Sequence, residues 1–381
     1  MTKNQFLLSF TGALLLAPLT PTLAQSTWQT VDDFQYAPGK GTSPCGVTAT
    51  PAGAIFVSGA AYDAGNLQRG FVNRSLDGGA TWDLVFDLPG ASSASCWAVA
   101  AAPSGTLWAT SSLNSTNWLT HSSTDGGAAW VLSDSYRGNG RNAVPFCTTV
   151  DPAGRIFVGG FVWDAQGKQH FFVRRSMDNG ATWKTVDDLA GSISRVEGIA
   201  ATPTAVVAAG RLSNVWLVRR STDGGNTWTS TDTFRLSSGA PSYAYGVATD
   251  ANGNFYVTGQ AVSTVNKVSQ AHWITRKSAD NGSTWRTVDD FVSAGGWPRG
   301  VTVDAFGRVF VTGAVGNLWT VRGSADGGAT WTTTDNFNLT PTGTSTARAV
   351  DADASGNVFV TGYAAAADGT SHGIVRKLAT P

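Results

Sequence analysis

The sequence predicts an all-β chain in which one four-strand unit recurs around seven times. Three observations lead there. The first is a stretch S-x-D-x-G-x-T-W at residues 221–228, with close copies at 75–82, 123–130, 176–183, 278–285 and 324–331; one copy has Ala129 in place of Thr. The second is a G-V-x-x-D run leading to F-V-T-G, which recurs seven times and is clearest at 246–259. The third is composition. The chain has 45 Gly, 15 Trp, 14% charged residues and one Glu, Glu197. It therefore lacks the residues that build helix surfaces.

Each element follows from its residues. The aspartates of the first stretch (Asp77, Asp125, Asp178, Asp223, Asp280 and Asp326) can accept backbone N–H bonds inside a tight turn, and the Gly supplies a positive φ. The Trp opens the next strand and offers a large apolar face. The run W-L-V-R-R-S before a turn and W-x-T-V-D-D-F after it are strand-like. The D-x-x-G segments join two further short strands.

The S-x-D-x-G-x-T-W stretch resembles the Asp-box, or BNR repeat, of sialidases, other glycoside hydrolases, sortilin-type receptors and a photosystem assembly factor. The resemblance implies β-propeller blades in which the box is a structural turn away from any active centre. The last inner hairpin, DASGNVFVTG at 353–362, also resembles the short bacterial β-propeller repeat. The expected fold is a single seven-bladed propeller over residues 25–381. Seven inner hairpins face only six boxes, and the termini account for the difference. The C-terminal run 374–378 matches a pre-box strand, and 26–34 matches a post-box strand. The N-terminal strand is thus expected to complete the last blade, closing the ring and removing two sheet edges.

Residues 1–24 read as a secretory signal, with Lys3, an apolar run and Thr22-Leu23-Ala24 before Gln25. A secreted or periplasmic protein is expected, with no membrane span. Lys+Arg and Asp+Glu are both 26, so charge gives no sign of a nucleic-acid surface. The four histidines have no metal-ligand spacing, and no cofactor or metal is expected.

Strand alternation puts the boxes on one face of the disc and the variable loops on the other, including 161–171, 260–272 and 363–372. Binding is expected on the variable face. Aligned inner strands give one residue per blade at the channel mouth: Cys45, Trp97, Phe146, Glu197, Tyr245, Arg299 and Arg348, with Arg195, Tyr243 and Trp297 two residues upstream in the same loops. Arginines suit a carboxylate ligand through paired N–H bonds. The resemblance to sialidases would make Tyr245 a nucleophile beside Glu197, although the R-I-P arginine segment of those enzymes is missing. Asp63 and Asp164 are the acids of the variable loops.

Other repeated residues read as structural. Arg174-Arg175, Arg219-Arg220, Arg276-Lys277 and Arg376-Lys377 are expected to form exposed cross-strand pairs with Asp187-Asp188, Asp289-Asp290 and Asp32-Asp33. The box tryptophans read as core, leaving Trp97, Trp163, Trp273 and Trp297 for stacking on a ligand. Side-chain alternation pairs Cys45 with Cys96 in a disulfide and leaves Cys147 free. The expected function is an exported, non-catalytic binding module for a glycan, a cell-surface polymer or a protein partner; the alternative is a sialidase-like glycoside hydrolase.

Overall fold

Seven four-stranded antiparallel sheets stand around one axis in the computed structural model, which describes residues 27–90, 93–138, 141–265, 268–293 and 295–380. The expected export signal lies outside them. The inner strands of blades 1 to 7 are Thr42–Ala49, Ala94–Ala101, Ala143–Val150, Ser194–Ala201, Ser242–Thr249, Pro298–Val303 and Ser345–Ala352. Three strands follow outward in each of blades 1 to 6. In blade 7 the outermost strand is the first of the chain: Trp28–Phe34 pairs with Ser371–Leu378, from Trp28 opposite Leu378 to Phe34 opposite Gly373. The ring closes as the termini predict. No helix among the described residues is long and apolar enough to cross a membrane.

The six aspartate turns share one hydrogen-bond scheme, except that Ala129 leaves the Asp125 turn without the threonine hydroxyl. In the turn of blade 4, the Ser221 hydroxyl donates to Asp223 Oδ1 at 2.8 Å and accepts from the Gly225 N–H at 2.8 Å. The Thr227 N–H donates to Oδ1 at 2.9 Å and its hydroxyl to Oδ2 at 2.7 Å. Threonine hydroxyls first, with the threonine amides, hold Asp77, Asp178 and Asp280 down to about 2. The tryptophan that follows caps the turn, as when Trp228 Nε1 donates to the Gly225 carbonyl at 3.3 Å. These tryptophans are half-buried against the preceding blade: Trp82 packs with Val31 and Phe359 of blade 7.

Middle strands are buried on both faces. Ile55–Tyr62 is buried over its first seven residues, because each blade covers its neighbour. Trp118, Trp216, Trp273 and Trp319 occupy one position of the third strand, and each is at most 1% exposed. Trp273 is therefore core and unavailable to stack on a ligand, contrary to the sequence-based expectation.

The repeated arginines and lysines join blades and do not pair with the aspartates of their own blade. Arg219 of blade 4 grips Asp187 of blade 3 through two guanidinium nitrogens, at 2.5 and 2.8 Å. The same clamp recurs as Arg174–Asp134, Arg276–Asp232, Arg322–Asp289 and Arg376–Asp335. In four of the five clamps an aromatic ring two residues after the Asp lies against the guanidinium: Arg276 sits 4.5 Å from the Phe234 ring centre, and Arg322 4.2 Å from that of Phe291. The second cation of the pair reaches forward. Arg175, Arg220, Lys277 and Lys377 donate to carbonyls of the next blade's turn, at Gly224, Asn281, Gly327 and Gly78. Hydrophobic alternation could not reveal this, because the partner strand belongs to the neighbouring repeat.

The second aspartate of the D-D pair has a different partner, within its own blade. Asp188, Asp290 and Asp33 bond His170, His272 and His372.

Two stability outcomes are expected. Ala129→Thr supplies the hydroxyl that the Asp125 turn lacks and should raise the melting temperature; a variant melting at or below the parent would contradict the turn scheme. Arg219→Ala leaves Asp187 buried and unpaired and should cost about 3–5 kcal/mol in denaturant unfolding. The double variant Arg219→Met with Asp187→Leu should recover most of that loss.

Candidate functional site

Each inner strand carries one β-bulge, and the bulged residue faces the channel. The register shifts between Pro44 and Gly46, Cys96 and Ala98, Pro145 and Cys147, Val196 and Gly198, Ala244 and Gly246, Pro298 and Gly300, and Ala347 and Ala349. The residues squeezed out are Cys45, Trp97, Phe146, Glu197, Tyr245, Arg299 and Arg348. A bulge leaves one residue unpaired and turns its side chain away from the ladder. The seven side chains, joined by Arg195, line one cavity of about 310 Å³ at the channel mouth.

Glycines make this geometry possible. Gly210 lies opposite the bulge of blade 4, where an added Cβ would sit 2.0 Å from the Arg195 carbonyl oxygen. Gly198 follows the bulged Glu197, and its Cβ would come within 2.4 Å of the Tyr245 carbonyl of the next blade. The inner strands thus approach backbone to backbone around the axis.

The cavity has two unlike halves. On one side Trp97 and Phe146 meet edge-on, with ring centres 5.1 Å apart, and the Trp97 indole is fixed by a 2.9 Å bond to the Ser112 hydroxyl. The other side is cationic. Arg195 is ion-paired with Glu197 and lies 5.1 Å from the Phe146 ring. Arg299 lies 5.2 Å from the Tyr245 ring, and Arg348 lies 5.3 Å from that of Tyr363. Arg348 Nη1 is 3.8 Å from the Cys45 sulfur, and its buried Nε has no acceptor. Arg211, which the sequence reading missed, pairs across the ladder with Arg195 and also has a buried Nε without an acceptor. The signal was an Arg directly after the F-V-T-G position, where other blades carry small or neutral residues. Burial, then the Glu197 charge, pushes the Tyr245 hydroxyl up to about 12.

Other candidates fall elsewhere. Tyr243 lies outside the cavity, bonded to Asn214 at 3.2 Å with Arg211 against its ring. Trp297 does not line the cavity and is 49% exposed. Arg195 and Tyr243 are strand residues and not loop residues. Asp63 and Asp164 cap their own outer loops, accepting from the Leu67 and Lys168 amides, away from the cavity. Among the described residues no three His, Cys, Asp or Glu side chains gather as a metal site.

The three thiols are free, so the expected Cys45–Cys96 disulfide is absent. The reason is the bulge, which changes the parity of side chains along the strand. Cys45 is itself the bulged residue and faces the channel. Cys96 precedes its bulge and is buried with Phe56 and Val72 of blade 1. Cys147 follows its bulge and is buried with Val196 of blade 4.

No family model matches the sequence, and no curated protein is similar to it at a significant level. Solved structures do resemble the fold. YCF48 bound to D1 peptide aligns over 93% of this chain and 96% of its own, at 15% identity and a TM-score of 0.56. A GH74 xyloglucanase from Xanthomonas campestris aligns over 91% of this chain and 55% of its own, at 15% identity and a TM-score of 0.54. An arabinofuranosidase from Fusarium graminearum aligns over 74% of this chain and 92% of its own, at 15% identity and a TM-score of 0.50. The fold is a seven-bladed β-propeller. At these identities the propellers share architecture and leave the chemistry to each chain's own residues.

The bulge scheme makes a direct prediction. Gly210→Ala should lower the melting temperature sharply, because its Cβ collides with backbone and not with a movable side chain. Gly41→Ala, whose nearest atom is 3.8 Å away, should melt with the parent. Equal melting of the two variants would refute the tight packing opposite the bulge.

Proposed function

We propose that this propeller is an exported binding module that takes a carboxylate-bearing ligand, the acidic sugar of a glycan or cell-surface polymer, at its channel mouth without hydrolysing it. The observation that carries the reading is the imbalance of charge there. Arg195, Arg211, Arg299 and Arg348 gather around one carboxylate, Glu197, in a chain whose formal charge is zero. Glu197 is taken up by Arg195, so Arg299 and Arg348 remain for an anion. The rings of Trp97 and Phe146 offer the sugar an apolar face.

The sialidase-like alternative needs Tyr245 to attack with Glu197 as its base. That reading fits the residues poorly. The Tyr245 hydroxyl is pushed up to about 12, and Glu197 already accepts from Arg195. The resemblance to Asp-box proteins, the expected signal at 1–24, and the likeness in fold to the xyloglucanase and arabinofuranosidase propellers support a glycan role. YCF48, which holds a peptide, supports a protein ligand on the same scaffold.

Binding to an array of acidic and neutral glycans, together with a fluorogenic sialoside assay, tests the proposal. Acidic glycans should bind, and Arg348→Ala should weaken them roughly ten- to a hundredfold with little change in stability. Tyr245→Phe should retain binding. Turnover that Tyr245→Phe abolishes would establish the hydrolase instead, and no affinity for any acidic glycan would refute the channel-mouth site.

A further inference from the structure

In blades 3, 5 and 7 a histidine of the third strand bonds the second aspartate of the D-D pair, and in blade 5 that pair has a third member. His272 stands on the third strand, Val268–Ser278, and Asp290 on the fourth, Arg286–Ser293. His272 Nδ1 lies 2.6 Å from Asp290 Oδ1, as His372 Nδ1 does from Asp33 Oδ1. The other ring nitrogen is turned to the second strand, two places beyond the residue directly opposite. His170 lies opposite Val162, His272 opposite Ala261 and His372 opposite Ala364, so the positions in question are Asp164, Ser263 and Ala366. His170 Nε2 meets a carboxylate there, Asp164 Oδ2 at 3.2 Å, whereas His272 Nε2 lies 2.8 Å from the Ser263 hydroxyl. Ala366 offers no side-chain oxygen. One blade thus joins a hydroxyl, an imidazole and a carboxylate in a row.

Ser263 owes its place to a longer hairpin. Phe255–Val265 and Val268–Ser278 run for eleven residues each, where the second and third strands of the other blades have seven or eight. The added pairs, Ser263 opposite Gln270 and Thr264 opposite Ser269, keep the serine on a laddered strand and not on a loop. His272 is buried and Ser263 half-buried, so the ring is fixed while the hydroxyl stays within reach of solvent. With the Nδ1 proton donated to Asp290, Nε2 carries the lone pair that can accept the serine proton. A backbone donor stands beside the hydroxyl. The Val262 N–H bonds the Pro241 carbonyl, and alternation along the strand turns the Thr264 N–H to the same side. Thr264 is exposed and lies beyond the start of the inner strand at Ser242, so an incoming oxygen can reach that N–H.

We propose that Ser263, His272 and Asp290 form a nucleophilic triad that cleaves a carboxylic ester of a short acyl group, at a site separate from the channel mouth. His272 Nε2 takes the hydroxyl proton as Ser263 Oγ bonds to the ester carbonyl carbon. The oxyanion forms beside the Thr264 N–H. On its collapse the bond to the alcohol oxygen breaks, and the His272 proton leaves with the alcohol. Water then attacks the acyl-serine and gives a proton to His272; the acid departs as that proton returns to Ser263 Oγ. Asp290 is a positioning residue, holding the ring and its Nδ1–H tautomer and offsetting the imidazolium charge. Thr264, Ser269 and Gln270 are exposed and uncharged, which suits a short acyl group on a water-soluble alcohol.

Labelling of the purified chain with a fluorophosphonate probe, and its hydrolysis of 4-nitrophenyl acetate, test this. The probe should phosphonylate Ser263, located by peptide mapping. Ser263→Ala should lower turnover by at least on the order of a hundredfold and melt with the parent. A free imidazole also hydrolyses this ester, and Ser263→Ala keeps His272, so the variant separates attack by the serine from catalysis by the ring alone. Asp290→Asn should lower kcat with KM little changed, because the ring loses its tautomer while the groups that meet the ester remain. A Ser263 that the probe leaves unlabelled, or hydrolysis by Ser263→Ala at the parent rate, would overturn the triad and reduce the Ser263–His272 bond to a structural one.

Discussion

Each blade must bury both faces, and only its two neighbours can cover them. That constraint governs the rest of the molecule. A lone four-stranded sheet of this composition would expose the fully buried run at Ile55–Tyr62 and the core tryptophans to water. Stacking the blades in a ring hides those faces, and closure by Trp28–Phe34 pairs the last strand across the chain termini. The backward Arg–Asp clamp and the forward contact to a turn carbonyl then add direction to packing that is otherwise greasy and non-specific. A buried guanidinium accepts few positions other than the one that meets its carboxylate and its aromatic ring.

The same packing creates the channel mouth. Inner strands approach so closely that glycine stands opposite the bulge in every blade but the second, and the residue each bulge expels turns to the axis. Seven such residues meet in one cavity although they lie in seven separate repeats. A position that regular pairing would have turned into the core therefore varies freely in chemistry, from Trp97 and Phe146 to Arg299 and Arg348. The scaffold is repetitive and the ring of bulged residues is not, which is how a repeat fold carries a single site.

Blade 1 departs from its neighbours in a related way. It has neither the clamp Arg at Asn73 nor the clamp Asp at Phe86, so both of its interfaces lack the ion pair that the other blades share. The forward contacts persist on both sides, from Lys377 to Gly78 and from Arg74 to Gly126. Packing such as Phe34 against Phe71, with ring centres 5.4 Å apart, carries the closure. Blade 1 is thus held to both of its neighbours less by charge than the other blades are to theirs.

The repeat arithmetic, the aspartate turns, the seven blades and the joining of the termini were legible from sequence because each depends on local periodicity and turn chemistry. The residues of the channel mouth were legible too, since the recurring inner hairpin, with Gly46, Gly198, Gly246 and Gly300 after the bulge, sets the frame. Tertiary structure decided what faced what. It sent Cys45 to the channel and Cys96 to the core, because one inserted residue reverses the alternation on which a disulfide was inferred. It buried Trp273, gave the strand arginines partners in the preceding blade, and brought Arg211 behind Arg195. Those contacts join residues tens of positions apart across blade interfaces, and no local pattern encodes which neighbour a side chain will meet.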